Sequence, residues 1–205
     1  AMFCPVPQKL FISHKYSQDV VLTCGVGGIS GTGHIFSLND LHDPDKTGVG
    51  HQPYGFDQLG SLYNRYKVYK TELALDFSSP SNTSSRTYGC YQLLNPSNYS
   101  VSTAGLLVED YQERPRADAI RIVDGTDPTL VNFTTFLPEI VGCKSMMDAQ
   151  YGDNYTGNGS GGPANQIAVS LNTCNEVGTD SVAISCRVRI VYHCMWYNPK
   201  MLGQS

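Results

Sequence analysis

Along this chain apolar and polar residues alternate in short runs, the period of a β-strand with one face buried. Val20, Leu22 and Cys24 alternate with Val21 and Thr23, and His34, Phe36 and Leu38 alternate with Ile35 and Ser37. Further strand-like runs fall near residues 66–77, 86–94, 104–110, 117–124, 130–137, 166–172 and 182–196. That makes about nine strands, separated by Gly, Pro, Asn, Asp and Ser clusters. The last run is the clearest. Ile184, Cys186, Val188, Ile190, Tyr192 and Cys194 share one apolar face, while Ser185, Arg187, Arg189 and His193 take the other. Between Tyr66 and Phe77 the pattern changes phase, led first by Tyr66 and Val68 and later by Leu73, Leu75 and Phe77. A β-bulge near Lys70 reconciles the two halves, as does burial on both faces early in the strand.

Two segments carry helical spacing. Phe56, Leu59, Tyr63 and Tyr66 recur at three- and four-residue intervals with Asp57 placed to cap, and Gly60 limits this helix to a turn or two. A second helix is predicted from Pro138 to about Ala149, with Gly142 as its weak point. Tyr151 to Asn165 is predicted to be a long surface loop, too polar and Gly-rich to order itself easily. Many strands with minor helices in the loops fit an all-β, two-sheet sandwich. With 205 residues, no break in composition and no internal repeat, the chain reads as a single domain over 1–205.

Composition refines this picture. Charged residues are only 16% against a usual share of about a quarter, and there are 13 tyrosines, so much of the surface is expected to be covered by neighbours. The formal net charge of −4 gives no general pull toward phosphate-rich partners. Cys4, Cys24, Cys90, Cys143, Cys174, Cys186 and Cys194 form no Cys-x-x-Cys pair, and their odd number favours buried free thiols over a disulfide scaffold or a zinc site. No stretch approaches 18 consecutive apolar residues, so no membrane partner is expected.

A search for chemistry finds fragments only. Gly28, Gly31 and Gly33 have phosphate-loop spacing, but His34 and Ile35 stand where Lys and Ser/Thr are required, so a glycine-rich turn is the reading. Asp43, Asp45, Thr47 and Gly48 match the start of a calcium loop, but Tyr54 occupies the position of its bidentate Glu, so a solvated acidic turn is expected. His14, His34, His42, His51 and His193 are dispersed. No nucleophile, metal or cofactor motif is present, and the chain is read as a non-enzyme without cofactor. Arg187 and Arg189, on the polar face of the last strand, are the candidates for touching nucleic-acid phosphates.

The segment Gly50–Leu75, GHQPYGFDQLGSLYNRYKVYKTELAL, resembles a block in capsid proteins of circular Rep-encoding single-stranded DNA viruses, the circovirus-like group and its unclassified environmental members. The matching residues are Gly50-His51-Gln52-Pro53, Asp57-Gln58-Leu59 and Tyr63-Asn64-Arg65-Tyr66, and the run 184–200 is similar to the family's last strand. Together they cover roughly a fifth of the chain. The resemblance implies a single jelly roll of two four-stranded antiparallel sheets, assembling from about sixty identical subunits into a T=1 icosahedral shell. It implies a structural virion protein enclosing single-stranded DNA, with host-nuclear assembly and a host receptor that the sequence does not name. His51, Pro53, Asp57, Gln58, Leu59, Tyr63 and Tyr66 are then structural, with Asp57 and Gln58 satisfying backbone groups where the helix starts. Family members carry a basic N-terminal arm that neutralises the genome, whereas this chain opens Ala-Met-Phe-Cys-Pro, so DNA packaging rests on the resemblance alone. The rival readings are a secreted, lectin-like β-sandwich binding module, supported by sequons at Asn82, Asn98, Asn132, Asn154 and Asn158, and a cupin-type enzyme, which lacks its His-rich motif.

Overall fold

The computed structural model describes residues 6–31, 33–78, 86–97, 103–122, 128–176 and 181–201. Its eight described strands are β1 (Lys9–Thr23), β2 (His34–Ser37), β3 (Tyr63–Ser78), β4 (Thr87–Leu94), β5 (Ala117–Ile122), β6 (Thr129–Phe136), β7 (Ala168–Asn175) and β8 (Ala183–Pro199). Three short helices intervene: α1 (Phe56–Leu62), α2 (Val108–Glu113) and α3 (Leu137–Ile140). The strands form two four-stranded sheets, ordered β1-β8-β3-β6 and β2-β7-β4-β5. First pairs with last, second with seventh, third with sixth and fourth with fifth, all antiparallel. That nesting is a jelly roll, a long hairpin rolled so that its two halves face each other.

The alternation of β8 sets the core. Ile184, Cys186, Val188, Ile190, Tyr192 and Cys194 are buried on its inner side, where they meet Leu73, Leu75 and Phe77 of β3 and Phe36, Val169 and Leu171 of the second sheet. The phase change in β3 is a register irregularity between Val68 and Lys70, as the sequence pattern requires. The six described cysteines are free and buried; Cys4 lies outside the described residues.

Several expectations are corrected. Residues 104–110 are not a strand: a turn leads into α2, with the Leu107 N–H donating to Asp110 Oδ2 at 2.8 Å. Val108 and Tyr111, three residues apart, face the outer side of the second sheet, where Tyr111 packs with Cys90, Ala119 and Cys174. This cover is why every residue of β7 is buried, on both faces of the strand. β1 begins at Lys9, well before the alternation starting at Val20, because its inward positions there include the polar His14 and Gln18. α1 ends at Leu62, and Tyr63 and Tyr66 belong to β3. Neither Asp57 nor Gln58 caps α1. Gly55 does so through its backbone at φ 83°, a conformation that favours glycine, and both polar side chains are exposed. The second predicted helix lasts four residues, and two 3₁₀ turns follow at Ala149–Tyr151 and Asp153–Tyr155.

The segment from Tyr151 to Asn165 is packed rather than solvated. Tyr151 and Tyr155 are buried and stack at 4.7 Å, and the Tyr151 hydroxyl donates to the Val68 carbonyl at 2.7 Å. Gly157 exchanges both backbone hydrogen bonds with Tyr66, at 2.9 and 3.0 Å. A Cβ on Gly157 would clash with Tyr66 Cζ, whereas one on Gly161 meets only Asn158 Oδ1, at 4.0 Å. In urea denaturation Gly157→Ala is expected to lower stability by about 1–3 kcal/mol, the usual range for overpacking, and Gly161→Ala to change little.

Candidate functional site

Charge is unevenly distributed between the two sheets. The strands of the first sheet carry seven cationic residues, Lys9, Lys15, Arg65, Lys67, Lys70, Arg187 and Arg189, against three anionic ones, Asp19, Glu72 and Asp76. That is a formal +4 on one sheet in a chain of net −4. The inner positions are filled by the core, so the two-residue period turns these charges outward. On the second sheet, α2 itself is acidic, with Glu109, Asp110 and Glu113, while Arg114 and Arg116 follow it and Arg121 lies on β5.

Most charges on the first sheet's outer face are paired. Arg187 Nε donates to Asp19 Oδ1 at 2.8 Å and its NH2 to Asp19 Oδ2 at 3.2 Å, and these hydrogen bonds hold Asp19 below the usual carboxylate range. Lys70 and His193 both reach Glu72 Oε1, at 2.7 and 3.0 Å, and lower its pKa in that order of importance. Arg65 meets Asp153 at 2.8 Å, and the Lys67 ammonium donates to the Tyr151 carbonyl at 2.7 Å. Lys9, Lys15 and Arg189 are different: none of these side chains has a partner among the described residues, and of the three only Lys15 and Arg189 line a cleft. The structure thus separates the two arginines singled out from sequence. Arg187 is occupied, and Arg189 has no partner among the described residues.

Arg189 and Val191 stand between two clefts. One, of about 630 Å³, is lined by Lys15, Ser17, His51, Gln52 and Tyr54. The other, of about 650 Å³, is lined by Glu72, Ala74, Leu130, Asn132 and Thr134. The family-motif residues divide around the first cleft. Pro53, Tyr63 and Tyr66 are buried, and both tyrosine rings lie against Trp196, at 6.4 and 5.1 Å between centroids. Leu59 is half-buried, Asp57 and Gln58 are exposed, and His51 sits at the cleft with its ring 4.6 Å from that of Tyr16. Sequence reasoning did not single out Lys15, and met Tyr54 only as the residue in place of a calcium loop's Glu. The outward phase of β1 was a signal for Lys15, but Tyr54 follows a proline and precedes a glycine, where no periodicity points.

Tyr54 is 98% exposed, yet its backbone is held. Trp196 Nε1 donates to His14 Nε2 at 3.2 Å, so the neutral ring carries its proton on Nδ1 and gives it to the Tyr54 carbonyl, also at 3.2 Å. Burial lowers the His14 pKa, outweighing the opposite effect of the Tyr54 carbonyl. In the acidic turn beneath, Asp45 is buried, contrary to the solvated turn expected from sequence, while Asp43 is part-exposed and Thr47 and Gly48 face solvent. Asp45 accepts from Gln18 at 2.6 Å, from His34 at 2.8 Å and from both the N–H and hydroxyl of Thr47. Burial raises its pKa, but these donors prevail and hold it low. Asp40 accepts from Lys46 at 2.7 Å and from the Tyr66 hydroxyl at 3.2 Å. Among the described residues no three His, Cys, Asp or Glu side chains gather as metal ligands, and no helix is long and apolar enough to cross a membrane.

No family model and no curated protein matches the chain. Among solved structures it is similar to the BFDV capsid protein as a 60-mer, with 9% identity and a TM-score of 0.52 over 97% of this chain and 100% of that one. The decameric BFDV capsid protein gives 8% identity and a TM-score of 0.52 over 92% and 98% of the two chains. Desmodium yellow mottle tymovirus is similar at 10% identity, with a TM-score of 0.47 over 100% and 97%. At such identities the likeness is one of fold: the jelly roll seen here is also the fold of viral capsid proteins.

The neutral His14 makes a prediction about pH. As pH falls through about 6.5 the unfolded imidazole takes a proton that the folded ring resists. The unfolded state then binds more protons, so stability declines as pH drops below that value and is unaffected by His14 above it. Thermal unfolding followed from about pH 7 to about pH 5 should show this slope. His14→Gln should flatten it, since an amide does not titrate, at some loss of stability at neutral pH because the imidazole packed against Trp196 is removed.

Proposed function

We propose that this chain is the shell-forming subunit of a small viral capsid, a structural protein rather than an enzyme. About sixty copies assemble into a T=1 icosahedral particle that encloses a viral genome, the group resembled by Gly50–Leu75 implying circular single-stranded DNA. The observation that carries the proposal is the nested pairing of all eight described strands, which aligns over 97% of the chain with a capsid protein solved as a 60-mer. The charge distribution supports it. A sheet face of net +4 suits the inside of a container for a polyanion. Exposed Val49 and Met147, in the loops beyond the sheets, supply apolar surface for identical neighbours. Virion localisation follows, with assembly in the host nucleus and a host receptor as further partner.

Purified protein is expected to elute as a megadalton species, or to convert to one at high salt, and to show closed particles by electron microscopy. A chain that remains monomeric under all conditions removes the proposal.

A further inference from the structure

We infer that the cleft between β1, β8 and the Gly50–Gly55 segment is a subsite for single-stranded nucleic acid, with Lys15 and Arg189 holding phosphate and Tyr54 stacking on a base. The inference rests on the shell reading for which face of the subunit meets the genome. The site itself stands on three observations. First, Lys15 and Arg189 are the cations of the outer face of β1 and β8 at the cleft, and neither has a partner among the described residues. Lys15 lies opposite Val191 and Ser17 opposite Arg189, which makes the two cations diagonal neighbours on adjacent strands, about 7–8 Å apart. Unpaired cations release counterions when phosphate binds, whereas Arg187 would first have to leave Asp19.

Second, Tyr54 offers a ring that is 98% exposed on a backbone fixed by His14 and by buried Pro53. An aromatic held open to solvent at the mouth of a cationic cleft is what a base requires, since every base has a π-face. Third, the cleft continues. Arg189 and Val191 also line the second cleft, so a phosphate on Arg189 would have a base-sized space on either side. Two acids lie diagonal to Arg189 on the neighbouring strands, Asp19, which is held by Arg187, and Asp76, which stands opposite Arg187; the other acids nearby are engaged. Asp45 is buried under donors from His34, Gln18 and Thr47, Asp43 lies near Lys46, and Glu72 is shared by Lys70 and His193. A duplex hides its base faces and could use only the cations, so the chemistry selects single strands.

The test is fluorescence anisotropy with a labelled oligothymidylate of about 12 nucleotides, a length within known single-strand footprints. It is added to the protein before assembly, and light scattering is read on the same samples. The double variant Lys15→Ala, Arg189→Ala should bind at least tenfold more weakly and flatten the log Kd against log salt slope by about 1.4, two contacts at about 0.7 each. Tyr54→Ala should weaken binding several-fold and leave the slope unchanged. The charge-neutral control Asp19→Ala, Arg187→Ala should bind like the parent. Duplex DNA of the same length should compete poorly. Parental affinity in the Lys15, Arg189 variant, parental affinity in Tyr54→Ala, or equal competition by duplex or by heparin would each overturn the subsite. Particles that form without oligonucleotide binding refute the subsite and leave the shell standing; binding without particles does the reverse.

Discussion

Strand β8 is hydrogen-bonded along both sides, to β1 over Lys9–Thr23 and to β3 over Tyr63–Ser78, and one of its faces is closed by the core. Under those conditions register has almost no freedom. A slip of one residue would turn Arg187 and Arg189 into the space now filled by Val188 and Ile190, and would expose the apolar set to water. Burying two guanidinium groups without partners would cost far more than the fold can tolerate. The outer face therefore receives its charges as a by-product of the inner face being apolar. The placement of Lys15 and Arg189 on one face follows from that arrangement.

The second constraint lies at the end of the sandwich where Trp196 is buried. Phe56 from α1, together with Tyr63 and Tyr66 from β3, surrounds the indole with centroids 5.1–6.4 Å away, and its N–H finds His14. Such aromatic packing does more than fill volume. Tyr66 carries the backbone bridge to Gly157 and a hydroxyl bond to Asp40, so the loop after α3 and the acidic turn after β2 are both anchored on it. His14 transmits the same anchoring to Tyr54. A residue at the surface of the cleft is thus positioned by a ring in the core.

What could be read in the sequence was what period and face determine. β8 was legible because its apolar face is unbroken, and the bulge near Lys70 because the phase visibly changes there. The first half of β1 was not, since His14 and Gln18 point inward and are satisfied by partners distant in sequence, Trp196 and Asp45. The run 104–110 misled because Leu106, Leu107 and Val108 suit a strand, and only the outer surface of the second sheet makes a helix the better cover. The loop after Tyr151 misled through its glycines, which here permit close approach to Tyr66 rather than disorder. For the site, net charge was the wrong quantity. A sum over the chain conceals a sheet of one sign beside a helix of the other.

The nesting of the strands has a consequence for how the molecule comes into being. β1, which begins at Lys9, has its only strand partner among the described residues in β8, which begins at Ala183. Pairing across such a separation is slow to form, because the ordering of the whole intervening chain precedes the contacts that reward it. While the polypeptide is still emerging from the ribosome, N-terminal end first, the central strand of the first sheet does not yet exist. A nascent or prematurely terminated chain therefore cannot complete the sheet that carries the cationic face, and only a fully synthesised copy has that face to contribute.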